Sequence, residues 1–225
     1  MCKSVLVVAA HADDESLGCG ATIKKHVDSG DQVTIIFMTD GVGSRSVEST
    51  DGSKRNLAKQ KALQVLGVGS QFQFDFPDNA MDSVPLLEVV QAIECVIDKV
   101  KPQIIYTHFH GDLNVDHRIC FDAVITATRP VPNQSVKEIY GFEVLSSTEW
   151  QIKPDKAFTP QMYVDVSDCF ESKIIALKAY DDEMRDNPHS RSFEHVEILG
   201  KHRGYSVGVK YAEAFMTYRI LKDSV

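Results

Sequence analysis

Apolar runs and amphipathic segments alternate along this chain, and such alternation predicts alternating strands and helices. The apolar runs predict strands at residues 3–10, 33–38, 103–107, 139–144 and 162–166. Apolar positions at helical spacing predict helices at residues 16–29, 58–66, 85–100, 120–127, 168–182 and 191–201. The first strand is apolar from Val5 to Ala10, which is typical of a strand buried on both faces of a parallel sheet. The pattern therefore indicates one α/β domain across residues 1–225, with a mostly parallel sheet.

The charge of the chain narrows the classes of partner. It has 225 residues, of which 43% are hydrophobic, and a formal net charge of −8. This length is enough to bury one well-formed core. Because an acidic surface repels nucleic-acid backbones and anionic membranes, we expect neither as a partner.

Cysteine usage and the N-terminal residues indicate a compartment. The five cysteines are widely spaced and form no CxxC pair, which favours reduced thiols. The chain starts directly in a predicted strand, without the basic leader of a signal peptide. No apolar run approaches the roughly 20 residues that span a bilayer. We therefore expect a cytoplasmic protein.

One histidine and three acids follow the end of the first predicted strand. They are His11, Asp13, Asp14 and Glu15. In an open α/β sheet, ligands bind at the carboxyl ends of the strands. Burying several like charges together is costly unless a cation pairs with them. This cluster therefore predicts a bound metal.

A second polar cluster follows the predicted strand at 103–107. Residues 108–118 include three histidines, two aspartates and one asparagine. If the two strands are parallel in one sheet, both clusters lie at the same edge, although 117 − 14 = 103 positions separate Asp14 from His117. Imidazole nitrogen and carboxylate oxygen are zinc ligands, and three protein ligands with an open position mark a catalytic site.

The two clusters resemble the signatures of the LmbE-like or PIG-L family of zinc-dependent N-acetyl-sugar deacetylases. Residues 10–15 match the family's Ala-His-Pro-Asp-Asp-Glu, and residues 116–118 match its closing Asp-His-Arg. Further agreement lies at residues 39–41, 66–68 and 213–215. The resemblance implies a Rossmann-like three-layer fold and one Zn²⁺ per chain, for which other divalent ions can substitute. It also implies a small N-acetylated sugar as substrate, and it leaves a homo-oligomer open.

Carried over position by position, the resemblance implies a role for each site residue. The implied zinc ligands are His11, Asp14 and His117. Asp13 becomes the general base for metal-bound water, and Arg45 matches an arginine that holds the substrate. A metal that polarises an amide carbonyl, beside a carboxylate that accepts a proton, suits removal of an acetyl group from an amino sugar. Asp116 is expected to orient His117 from the second shell of the site.

The chain departs from the family pattern at two positions. Ala12 stands where the family usually has proline, and this removes no ligand. Asn114 stands where many relatives have a histidine, and an asparagine can donate a hydrogen bond but cannot shuttle a proton. The acid that protonates the leaving amine is therefore open between Asp13, His110 and His189. Three side chains remain candidates for substrate binding beside Arg45, namely Asn114, His110 and His189.

Three other functions compete with this interpretation. A nucleotide-binding dehydrogenase needs a GxGxxG turn after the first strand, where this chain has three acids that would repel phosphate. A two-metal phosphoesterase stays open, because Asp40, Asp112 and Asp116 supply further carboxylates. A catalytically silent sugar-binding protein with a structural metal is the third, and an open metal position beside Asp13 speaks against it.

Overall fold

The predicted alternation of strands and helices is present in a computed structural model, which describes residues 2–39 and 51–222. The strands are β1 (Ser4–Ala9), β2 (Gln32–Thr39), β3 (Ser70–Phe76), β4 (Ile104–His108), β5 (Glu138–Phe142), β6 (Met162–Asp165) and β7 (Ala212–Ile220). The helices are α1 (Asp14–Asp28), α2 (Asp51–Leu66), α3 (Leu86–Val100), α4 (Val115–Ala127), α5 (Phe170–Ala179) and α6 (Phe193–Tyr205). Arg45 and Asp40 lie outside the described residues.

The described strands form one seven-stranded sheet in the order β3-β2-β1-β4-β5-β7-β6. The first five strands in that order pair in parallel. β7 is antiparallel to both of its neighbours, β5 and β6. The sheet is therefore mostly parallel, as the sequence predicts.

Helices cover both faces of the sheet, which confirms a three-layer α/β fold. Along β1, Val5, Val7 and Ala9 belong to a core shared with α1, α2, α5 and α6. Leu6, Val8 and Ala10 belong to a second core, shared with α3 and α4. Because successive side chains of a strand point to opposite faces, both sets must be apolar. This explains why the first run shows no polar alternation.

Two strands have no counterpart among the predicted elements. β3 alternates polar and apolar residues and lies at the edge of the sheet, where one side meets solvent. β7 follows helix α6 but runs against its neighbours, so it is no part of a regular strand–helix–strand unit. The predicted helix at 168–182 is α5 followed by a 3₁₀ turn at Asp181–Glu183. No helix among the described residues is both long and apolar enough to cross a membrane.

The topology creates a natural crevice at the carboxyl ends of β1 and β4. From β1 the chain passes to β2 on one side, and later returns to build β4 and β5 on the other side. Crevices at such switch points are where open α/β sheets bind their ligands. Both polar clusters of the sequence follow these two strands.

Candidate metal centre and active site

Three predicted ligands converge where β1 and β4 end side by side. His11 lies in the turn after β1, Asp14 begins α1, and His117 lies in the first turn of α4. Asp14 Oδ2 lies 3.1 Å from His11 Nδ1 and 3.3 Å from His117 Nε2. All three side chains are buried, and each offers one ligand atom within 4.8 Å of the other two.

The donor atoms of this group fit a divalent metal. Buried polar atoms in folded proteins almost always have hydrogen-bond partners. Asp14 Oδ1 and His117 Nε2 are buried and have no aligned partner among the described residues. Two imidazole nitrogens and a carboxylate oxygen are a ligand set that transition metals such as zinc accept. A metal among these three side chains would satisfy the unpaired atoms.

A carboxylate lies behind each of the two histidines. Asp116 Oδ2 is 3.0 Å from His11 Nε2, and Asp112 Oδ1 is 3.1 Å from His117 Nδ1. Such outer carboxylates fix the orientation of a ligating imidazole and raise its basicity. Asp116 therefore lies beside His11, and the carboxylate next to His117 Nδ1 is that of Asp112 rather than that of the neighbouring Asp116. The reason is helical geometry, because adjacent residues of a helix point in different directions.

Both outer carboxylates are held firmly. Asp116 accepts hydrogen bonds from the backbone amides of Asn79 at 2.7 Å and Met81 at 3.0 Å. Asp112 accepts hydrogen bonds from the hydroxyls of Ser147 and Thr148. Burial raises the pKa of Asp112, but His117 and the two hydroxyls outweigh it and lower the pKa to about 2. Asp112 is thus a permanent anion behind its histidine.

The surrounding acids favour positive charge on His11 and His117. Burial lowers the pKa of His117, but Asp14 and Asp112 outweigh it and raise the pKa to about 9. The pKa of His11 is likewise raised well above its ordinary value against burial, by Asp116, Asp14 and Asp78. Asp78 Oδ1 lies 3.2 Å from His11 Nε2. A metal ion competes with protons for such nitrogens, so the same acids that favour protonation favour a cation.

His108 packs as an uncharged ring behind the three predicted metal ligands. It ends β4, is fully buried, and stacks on the ring of His117 with centroids 3.9 Å apart. Its Nε2 accepts a hydrogen bond from the amide of Ala10 at 2.9 Å. Burial and the neighbouring His117 lower the pKa of His108 well below its ordinary value. His108 therefore stays neutral and positions His117 by contact.

Asp13, the predicted general base, lies in a strained turn beside the metal ligands. Its φ is 125°, a conformation that costs about 1–3 kcal/mol for a residue other than glycine. The turn is held by its own hydrogen bonds: the Asp13 carbonyl accepts from the amides of Ser16 at 3.0 Å and Leu17 at 2.8 Å. The side chain is only 2% exposed. A strained, buried carboxylate of this kind is a frequent feature of active sites.

Two arginines hold the Asp13 carboxylate. Arg191 Nη1 donates a hydrogen bond to Asp13 Oδ2 at 2.8 Å. Arg55 Nη2 lies 4.0 Å from Asp13 Oδ1 and donates to the carbonyl of Ala12 at 3.1 Å. Burial raises the pKa of Asp13, and the two guanidinium groups oppose that rise. We call Asp13, Arg55 and Arg191 the arginine clamp.

Two further buried acids lie around the clamp. Glu183 accepts a hydrogen bond from Arg55 at 3.1 Å and lies 3.9 Å from Arg191. Glu15 accepts from the Asp13 amide at 3.0 Å and from the Tyr180 hydroxyl at 2.9 Å. Burial raises the pKa of Glu15 to about 7. Neither arginine is among the site residues predicted from the sequence, and only the closeness of Arg191 to the candidate His189 could have pointed to Arg191.

The remaining predicted side chains divide between the site and its surroundings. Asn114 caps α4: its side-chain oxygen accepts from the amide of Asp116 at 2.8 Å, a contact worth about 1 kcal/mol. His189 Nδ1 accepts from the amide of Arg191 at 3.0 Å, so it borders the clamp. His110, in the loop after β4, instead forms a hydrogen bond with the hydroxyl of Tyr218 at 2.7 Å. Substrate binding by these residues stays a prediction.

Comparison with known proteins agrees with the sequence motifs. The profile of the PIG-L family, described as GlcNAc-PI de-N-acetylase, matches residues 6–128, more than half of the chain. The chain belongs to this family. Among the curated proteins, the diacetylchitobiose deacetylase of Thermococcus kodakarensis is 29% identical over 228 residues, covering 94% of this chain and 81% of that protein.

Solved structures of relatives share the fold. The N,N'-diacetylchitobiose deacetylase of Pyrococcus horikoshii superimposes with a TM-score of 0.78 at 23% identity, over 96% of this chain and 84% of the other. The 4-carboxy-2-hydroxymuconate hydratase of Pseudomonas putida KT2440 superimposes with a TM-score of 0.75 at 22% identity, over 99% of each chain. Because the second protein is a hydratase, this fold alone does not fix the reaction.

Proposed function

We propose that this protein is a zinc-dependent N-deacetylase that removes the acetyl group from an N-acetylated amino sugar. The supporting observation is the convergence of His11, Asp14 and His117, with buried unpaired ligand atoms, beside the carboxylate of Asp13. A metal with an open position next to a non-ligating carboxylate is the arrangement that amide hydrolysis needs. The curated diacetylchitobiose deacetylase supports the same class of substrate, an N-acetylglucosamine derivative.

Zinc held by His11, Asp14 and His117 would supply a Lewis acid for the acetamide carbonyl and would lower the pKa of water in the site. Asp13 takes a proton from the attacking water on Oδ1, because its Oδ2 already accepts a hydrogen bond from Arg191. Burial raises the pKa of Asp13 and so helps it to retain that proton. Asp13 then returns the proton to the amine nitrogen as the C–N bond breaks, giving acetate and the free amino sugar.

The contacts of Asp116 argue against a two-metal phosphoesterase. A second group, His11, Asp78 and Asp116, could in principle hold another ion. However, Asp116 Oδ1 already accepts from the amide of Met81, and Oδ2 accepts from the amide of Asn79 and faces His11. An ion between Asp116 and His11 would have to compete with the Asn79 amide and the His11 ring nitrogen for Oδ2. One metal per chain is therefore the arrangement that the contacts favour.

Acetate release from a panel of N-acetylglucosamine derivatives tests this proposal. The panel holds the free sugar, its β-linked disaccharide and a nucleotide-linked form, and each is assayed with metal-stripped and with zinc-reconstituted protein. We expect acetate release only after zinc is restored, with one zinc bound per chain. The substrate with the highest kcat/KM then identifies the group on the anomeric carbon.

Two outcomes would contradict the proposal. Two bound ions together with hydrolysis of a phosphate ester would support the phosphoesterase instead. One bound zinc without acetate release from any sugar, but with tight binding of one of them, would support a silent sugar-binding protein.

A further inference from the structure

Helix α1, whose first residue is the ligand Asp14, is interrupted close to the metal site. Cys19 has φ −147° and ψ 25°, which is not helical, so a short first segment at residues 14–18 is set at an angle to the rest of the helix. Sharp bends in helices need a physical cause, such as a side chain inserted between hydrogen-bonded turns. Here that cause is a pair of charged side chains from other elements.

The inserted pair is Lys173 of α5 and Glu213 of β7. In an unbroken helix the carbonyl of Leu17 would accept from the amide of Ala21. At the bend, Lys173 Nζ donates to this Leu17 carbonyl at 2.7 Å, and the Ala21 amide donates to Glu213 Oε1 at 3.2 Å. Lys173 and Glu213 bond each other at 2.6 Å. The pair thus bridges the bend through three hydrogen bonds, one to Leu17, one from Ala21 and one within the pair.

Glu213 also fixes the start of the second segment of α1. Its Oε2 accepts from the amide of Thr22 at 2.7 Å, so both carboxylate oxygens bond backbone amides. Close approach of the first segment to the sheet needs Gly18, because a Cβ at this position would collide with the ring of Phe142. The angle between the two segments is therefore set by contacts on both sides.

Because Lys173 and Glu213 are buried, removing their charges from water on folding costs free energy. Lys173 and Glu213 are each 5% exposed. Removing two charges from water costs as much as their attraction returns, and well-packed apolar side chains often stabilise a protein equally well. Among the described residues, the hydrogen bonds that these two side chains make to the backbone all go to α1, on either side of the bend. What the pair provides, and apolar residues cannot, is the direction of residues 14–18.

We propose that Lys173 and Glu213 are positioning residues for the metal site, which hold residues 14–18 at the angle that brings Asp14 against His11 and His117. This inference rests on the metal site of the proposed function. The three ligand atoms must meet within a narrow distance, and Asp14 is only one helical turn away from the Leu17 carbonyl that Lys173 holds. Without the pair, the helix can regain the Leu17–Ala21 bond and straighten, which moves Asp14.

The test is the zinc affinity of the double variant Lys173→Met/Glu213→Leu, measured by competition with a chromogenic chelator. We expect zinc to bind about 10–100-fold more weakly, the loss that follows when the support of a metal ligand is removed. We expect the melting temperature of the metal-free protein to stay within a few degrees of wild type, since the pair is replaced by apolar groups. At saturating zinc, kcat should fall while KM stays unchanged.

The matched control is Arg203→Met/Glu143→Leu. This half-buried pair bonds at 2.7–2.8 Å between α6 and the segment after β5, and its bonds do not involve α1. The control should keep the zinc affinity of wild type. Unchanged zinc affinity in the Lys173 and Glu213 variant, or an equal loss in the control, would overturn the inference.

If the double variant does not fold, Glu213→Gln replaces it, because this change keeps the volume of the side chain, removes its charge and turns one of the two acceptor oxygens that bond α1 into a donor. Zinc binding that is weaker than in the Arg203 and Glu143 control supports the inference, and unchanged zinc binding overturns it. Failure of the proposed function is a separate result: it appears already in wild type, as zinc-loaded protein that releases no acetate.

Discussion

The two halves of the candidate site are built in different ways. The predicted metal ligands His11, Asp14 and His117 lie in the turn after β1 and at the starts of α1 and α4, the helices that follow two neighbouring strands. The arginine clamp joins Asp13 from the same turn to Arg55 in α2 and to Arg191 in the segment before α6. The first half is thus assembled by sheet topology, and the second by packing between distant segments.

The two halves also differ in charge. Carboxylates surround the histidines of the metal half, and a cation from outside the chain would balance them. The other half, which contains the predicted base Asp13 and is called the base half, has its own cations, since Arg55 and Arg191 face Asp13 and Glu183. Changes in the metal half should therefore alter metal binding, whereas changes in the base half should alter turnover alone.

Loss of a metal ligand should have the largest effect. We expect His117→Ala to weaken zinc binding by more than about 100-fold, since loss of an outer partner alone costs 10–100-fold. Acetate release should fall to background at the same time. The measurements are zinc content after dialysis and kcat/KM. The control is His202→Ala on the exposed side of α6, which should keep both. Full zinc retention by His117→Ala would remove this residue from the ligand set.

Removal of the base should abolish turnover but leave the metal. We expect Asp13→Ala to bind one zinc per chain and to lose about 10²–10⁴-fold in kcat, the usual contribution of a general base. Asp13→Asn provides the matched variant of similar size. Zinc content and kcat are measured on the same samples. Loss of zinc together with residual activity would show that Asp13 belongs to the metal half instead.

The difference between the halves also explains which features could be predicted from the sequence. A continuous apolar run followed by acids and a histidine marks both a central strand and a polar cluster at its end, so β1 and the convergence of His11, Asp14 and His117 could be predicted. Arg55 lies within an ordinary polar helix, and no local pattern links it to Asp13. The choice of Asp112 over Asp116 behind His117 depends on side-chain direction in α4, which spacing alone does not reveal. Strand β7 runs antiparallel and lies outside the regular alternation of strands and helices. The sequence therefore marks its Glu213 only through the agreement of residues 213–215 with the family pattern.

The outer carboxylates should tune the metal half by a smaller amount. We expect Asp112→Asn to weaken zinc binding about 10–100-fold, because it removes the negative charge behind His117. KM should stay near wild type, since Asp112 is fully buried behind the ligand. The chelator competition described for the positioning pair measures the affinity. Wild-type zinc affinity in this variant would mean that the hydrogen bonds from Ser147 and Thr148 suffice to hold residue 112 behind His117 without its negative charge.

The smallest effect is expected from the clamp, and a double variant shows whether it acts through the base. Arg191→Met should lower kcat about tenfold, because a hydrogen bond to a charged group is worth about 1.5–3 kcal/mol and part of it is retained through Arg55. Zinc affinity should not change. If Arg191 acts only by orienting Asp13, the same substitution in the Asp13→Ala background should cost less than twofold, since groups that act as a unit are not additive. A full tenfold loss in that background would instead mean that Arg191 contacts the substrate directly. The half with His11, Asp14 and His117 would then bind the metal, and the half with the arginine clamp would bind the substrate.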